Sequence, residues 1–228
     1  MAENPVIIAL NFTEKSKALK VVEKLRPFVD RFKIGLPLFV RYGKSIVEEA
    51  KKYDARIFLD LKLHDIPSVI DQTIQNIVEL DIEFLTIHLQ GGLTLARTVT
   101  GYSSAIKLLG VTILTSIAPS EFESIYGVSL NESVIKLADI AHRTGFFGIV
   151  CSGHESKKIK TLFPRLRTVV PGIRLNGNKS DQSRVSTPCK ALQNGADYIV
   201  VGRDITHHAN ITDRMKQYLE EIEQCGYL

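Results

Sequence analysis

The sequence predicts a single-domain α/β protein, a closed (β/α)8 TIM barrel spanning residues 1–228. Short apolar runs alternate with stretches of helical periodicity along the whole chain, and the alternation occurs eight times. No linker, low-complexity stretch or change in composition divides it, and barrels of about this length form one domain. An open doubly wound sheet is the other α/β arrangement, and the lack of a GxGxxG after the first apolar run weighs against it.

The first strand is expected over 6–11, followed by a helix over 14–26 with Ala18, Leu19, Val22 and Leu25 on one face. The same reading gives strand 31–35 and helix 38–53, strand 56–62 and helix 68–80, then strand 84–89 and helix 93–105. Strand 108–115 precedes a helix over 132–143, and strand 148–152 precedes one over 155–162. The last two units are strand 168–171 with helix 188–194, and strand 198–202 with helix 213–225. Two connections, 116–131 and 172–187, exceed the usual length of about 2 to 6 residues. Both follow strands and so lie on the face where barrels of this kind carry their sites. The first contains a short helix at 119–126; the second is rich in Gly, Asn, Ser, Lys and Arg, suited to a lid over an anion.

A 44% hydrophobic composition over 228 residues is enough for a sizeable core. The net charge of +4 is mild and its cationic residues are dispersed, which argues against a nucleic-acid partner. No apolar run reaches the ~20 residues needed to span a bilayer, and residues 1–4 lack the character of a signal peptide, so a cytoplasmic protein without membrane association is expected. Cys151, Cys189 and Cys225 are widely spaced with no CxxC pairing, which leads to the expectation of reduced thiols and neither disulfide nor zinc.

The stretch 58–67, FLDLKLHDIP, places charge where a barrel strand should be apolar. Side chains alternate along a strand, so Phe58, Asp60 and Lys62 share one face and Ile57, Leu59, Leu61 and Leu63 the other. Burying an aspartate beside a lysine costs several kcal/mol per ion unless the geometry offsets it. A structural ion pair is the plain explanation. The other strand ends supply Asn11, Lys33, His88, Thr115, Ser152, Pro171 and Gly202–Arg203, so the whole mouth is a polar ring. Asp60, Asp65 and His88 are of the types that ligate a divalent metal, but ammonium groups at Lys33 and Lys62 already neutralise the carboxylates and repel a cation; no metal is expected. Gly202, Arg203 and the 172–187 loop, with Arg174 and Arg184, occupy the place where barrels commonly bind phosphate.

The chain resembles the orotidine 5′-monophosphate decarboxylases of the bacterial type. The most specific piece is the DxKxxDIP pattern from Asp60 to Pro67, supported by FKIG at 32–35, TIH at 86–88, VPGIR at 170–174, DQSRV at 181–185 and VGRDIT at 201–206. The resemblance implies metal- and cofactor-independent decarboxylation of orotidine 5′-monophosphate to uridine 5′-monophosphate in pyrimidine biosynthesis. It implies Lys62 as proton donor to C6, Asp60 beside the substrate carboxylate, and Lys33 linking the ribose to the charged network. Asp65 is implied to enter the neighbouring site of a homodimer, Thr115 to contact the pyrimidine, and Gln182, Gly202 and Arg203 to hold the phosphate, with Arg174, Pro171 and His88 as further candidates. In one respect the chain departs from the family: Asn11 stands where an aspartate is typical. Asparagine keeps an acceptor oxygen but loses the charge and gains donors, which implies weaker ribose binding or altered coupling to Lys33 with the fold intact. Two other functions fit the same barrel. One is a metal-dependent sugar-phosphate decarboxylase or aldolase, disfavoured by Lys33 where a metal-binding carboxylate belongs; the other is a non-catalytic nucleotide-binding barrel.

Overall fold

The computed structural model describes residues 4–176 and 185–228. Eight parallel strands close on themselves in sequence order, β1 (Val6–Leu10), β2 (Arg31–Gly35), β3 (Arg56–Leu63), β4 (Phe84–His88), β5 (Lys107–Val111), β6 (Gly148–Val150), β7 (Arg167–Val170) and β8 (Tyr198–Val201). The predicted barrel is therefore present, and its strand starts fall within a residue of those expected from the sequence.

The helices are α1 (Lys15–Leu25), α2 (Leu36–Tyr42), α3 (Lys44–Lys51), α4 (Pro67–Val78), α5 (Gly92–Val99), α6 (Pro119–Tyr126), α7 (Leu130–Thr144), α8 (Ser156–Leu162), α9 (Pro188–Gln193), α10 (Arg203–Thr206) and α11 (Ile211–Gln224). The single helix expected over 38–53 is two, α2 and α3, because Gly43 adopts φ +55° and breaks the hydrogen-bond ladder between them. The helix expected over 93–105 stops at Val99 and continues as a tight 3-10 turn over Thr100–Tyr102. Helix α6 lies where the sequence placed it, whereas α10 was not expected: four residues are too few for a periodicity to register.

Alternation along the strands builds two apolar layers. Outward-facing Ile57, Leu59 and Leu61 join the main core beneath the helices, while Phe58 belongs to a smaller cluster inside the barrel with Ile7, Ala9, Phe84 and Val200. Phe84 packs edge-on against both Phe58 and Tyr198, with ring centroids 5.8 and 5.4 Å apart.

Charge closes the end of the barrel formed by the strands' N-termini. Arg31, fully buried on β2, donates from Nε to Glu83 Oε2 at 3.0 Å and lies over the Tyr198 ring. Arg56 and Lys107 reach the other oxygen of Glu83 at 2.6 and 3.0 Å. Replacing Glu83 by glutamine removes the carboxylate that the buried Arg31 guanidinium shares with Arg56 and Lys107. We expect a loss of about 3 kcal/mol, since breaking a buried pair strands a charge; an unchanged urea midpoint for E83Q contradicts this account.

One expectation is overturned. Cys189 and Cys225 form a disulfide, and Cys151, outside that bond, is buried. The two are 36 residues apart in sequence, but α9 starts against the end of α11 and brings their Cα atoms to 5.9 Å. That proximity is tertiary, so spacing alone could not reveal it.

Candidate active site

The charged pair of β3 points inward as its alternation requires. The Asp60 carboxylate, about 9% exposed, receives Lys62 Nζ on Oδ1 at 2.7 Å and Lys33 Nζ on Oδ2 at 2.9 Å. Lys33 comes from β2, where its Cα is level with Phe58; its long stem covers the two-residue offset to Asp60. Burial alone pushes the Asp60 carboxyl up, but the Lys33 and Lys62 ammoniums outweigh it and hold the group well below the ordinary carboxylate range. Asp60 is thus ionised at any physiological pH.

The backbone bends to make this arrangement. Between Leu59 and Leu63, β3 falls out of register with β4: Leu59 pairs with Leu85, but Leu63 pairs with Ile87. Within this irregularity Lys62 takes φ +49°, a left-handed conformation disfavoured for a side chain of its kind. Thr86 secures the bend, accepting the Lys62 N–H at 2.9 Å and donating its own hydroxyl to Asp60 Oδ1 at 3.0 Å. The sequence reading gave Thr86 no role. Thr86 is fully buried, so its hydroxyl needs a partner, but that burial is visible only in the structure.

This network lies in the wall of a cavity of about 420 Å³ at the strands' C-terminal ends. Asn11, Thr115, Pro171, Arg174, Gly202 and Arg203 all line it, Thr115 from the loop beyond β5. Three candidates are placed otherwise. His88 ends β4 but stays off the cavity wall, with its ring centroid 5.2 Å from that of His64. Its Nδ1 is buried without a hydrogen-bond partner; burial, then His64 and Lys62, pull its pKa down to about 4, so it is neutral at pH 7. Asp65 is exposed and does not line its own cavity. Gln182, with Arg184, lies outside the described residues.

Among the described residues, no group of three or more His, Cys, Asp or Glu is arranged to hold a metal ion. Chemically, the site offers one fixed carboxylate between two ammoniums, with one of the cations, Lys62, about one-third exposed towards the cavity. Such a site repels a substrate carboxylate placed near Asp60 and stabilises the carbanion that remains when the carboxylate departs.

The sequence profile of the Orotidine 5'-phosphate decarboxylase / HUMPS family matches residues 4–218. The chain belongs to that family. Similar members are the orotidine 5'-phosphate decarboxylases of Dictyoglomus thermophilum, 38% identical with 96% of each chain covered, and of a Wolbachia from Culex pipiens, 39% identical with 96% of this chain and 99% of the relative covered. The crystal structure of orotidine 5'-phosphate decarboxylase from Lactobacillus acidophilus superposes with a TM-score of 0.83 at 30% identity, covering 96% of this chain and 99% of that one. Membership of this family fits an arrangement that a purely structural ion pair does not require: two ammoniums and a carboxylate facing an open cavity.

Proposed function

We propose that this cavity decarboxylates orotidine 5′-monophosphate to uridine 5′-monophosphate, with Lys62 delivering the proton to C6. The observation that carries this reading is the Asp60 carboxylate held between the Lys33 and Lys62 ammoniums at the cavity wall. Loss of carbon dioxide leaves a localised carbanion, and a fixed ammonium stabilises it before quenching it. In this reading Asp60 faces the departing carboxylate, Lys33 orders the charged network, Thr115 contacts the pyrimidine and Asn11 the ribose. Gly202 and Arg203, with Arg174 beyond the adjacent strand β7 and with Gln182, take the phosphate; Pro171 shapes the wall. Phosphate binding far from the breaking bond supplies energy to order the reacting end. The proposed setting is the cytoplasm, since a charged nucleotide does not cross a bilayer unaided.

The active species in this reading is a homodimer whose partner subunit supplies Asp65. Exposed apolar side chains support a second copy as the partner: Leu36 and Val40 on α2, and Ile66 and Val69 at the start of α4, are 41–79% exposed and follow neighbouring strands. Asp65 sits immediately before Ile66.

Release of carbon dioxide from orotidine 5′-monophosphate in excess chelator is the direct test. Undiminished turnover is expected. Abolition by the chelator favours the metal-dependent sugar-phosphate chemistry of the same barrel, and tight uridine 5′-monophosphate binding without turnover favours a non-catalytic binder.

A further inference from the structure

We propose that Asp204, fastened by Arg214 and Tyr218 of α11, is a positioning residue that sets the two arginines of the phosphate side of the cavity. It rests on the phosphate assignment above. Asp204 directly follows Arg203, the first residue of α10, and its Oδ2 accepts the backbone N–H of Leu175 at 3.2 Å. Leu175 in turn directly follows Arg174. A single carboxylate therefore ties the residue after one cavity arginine, beyond β8, to the residue after the other, beyond β7.

The carboxylate is itself fixed. Arg214 Nη2 lies 2.9 and 3.0 Å from its two oxygens, and the Tyr218 hydroxyl donates to Oδ2. Tyr218 is fully buried and its hydroxyl also lies 3.4 Å from the Ile173 carbonyl, on the same stem as Arg174. Burial pushes the Asp204 carboxyl up, yet bonds from Tyr218, Arg214 and Leu175 outweigh it and keep the group ionised.

The second stem of the loop is attached to the same helix. Ser186 pairs with the first stem, donating to Gly172 O at 3.2 Å and accepting from Arg174 N at 3.0 Å. Three residues later Cys189 donates its N–H to Glu221 Oε1 at 3.1 Å and is joined to Cys225. Arg214, Tyr218, Glu221 and Cys225 recur at spacings of four, three and four, which is one face of α11. That face holds both stems in place.

Tyr218→Phe removes one hydroxyl from this assembly without changing the cavity wall, and Arg214→Gln removes the cation. Steady-state kinetics on orotidine 5′-monophosphate and on its phosphate-free nucleoside separate positioning from general damage. For Tyr218→Phe, KM for the nucleotide should rise about tenfold, as for a lost hydrogen bond to a charged group, with kcat within about twofold. The second-order rate on the nucleoside should stay within about twofold of wild type, because that substrate makes no use of the arginines. Arg214→Gln is expected to behave in the same way and serves if Tyr218→Phe does not fold. An unchanged nucleotide KM, or an equal fall on both substrates, overturns the proposal. Absence of turnover in the wild-type protein overturns the decarboxylase reading instead, so the two failures are distinguishable.

Discussion

Lys62→Ala is expected to lower kcat/KM on orotidine 5′-monophosphate by at least about 10⁴-fold, since it removes both a proton donor and a fixed charge, each of which contributes about 10²-fold or more. The fold should survive. Asp60 retains Lys33 at 2.9 Å and the Thr86 hydroxyl at 3.0 Å, so its carboxylate is not stranded. Lys62 is also about one-third exposed, and its ion pair is correspondingly screened by solvent. Carbon dioxide release and urea unfolding measured on the same preparation separate the two effects. A residual rate above about a hundredth of wild type is incompatible with Lys62 as sole proton donor.

Mixing inactive Lys62→Ala protein with inactive Asp65→Asn protein is expected to restore activity. If each site takes Asp65 from the neighbouring subunit, a hybrid dimer has one site with both residues intact and one with neither. Free exchange in an equal mixture makes half of the dimers hybrid, so recovery approaches about one quarter of the wild-type rate. If Asp65 serves its own subunit, every site in the mixture lacks one residue and nothing returns. The exposed position of Asp65, away from the cavity of its own chain, is the structural ground for expecting recovery.

The barrel was legible because its strands and helices each have a periodicity that survives without knowledge of their neighbours. Strand β2 was read to the residue, and α6 likewise. Helix ends were less legible: the break at Gly43 depends on a backbone conformation, and glycine tolerates several. In the site, Asp60, Lys62 and Lys33 were visible as charges out of place on apolar strands. Thr86, Asp204, Arg214 and Tyr218 were not, because nothing in their local pattern distinguishes a buried hydrogen bond from a solvated side chain. His88 was drawn into the ring by its position at a strand end, yet the cavity does not reach it. The Cys189–Cys225 bond was read wrongly for a related reason: it joins two helices that sequence periodicity describes separately.

The left-handed backbone at Lys62 has an evolutionary consequence. An L-residue with a long side chain at φ +49° is held against its conformational preference, by about 1–2 kcal/mol, and glycine or asparagine would occupy the position more comfortably. If Lys62 carries the proton transfer proposed above, lysine is kept there for chemistry at the expense of stability. A descendant of this chain no longer selected for catalysis should therefore drift at position 62 early, towards residues that suit the bend, while Thr86 and the apolar face of β3 persist because the fold still needs them.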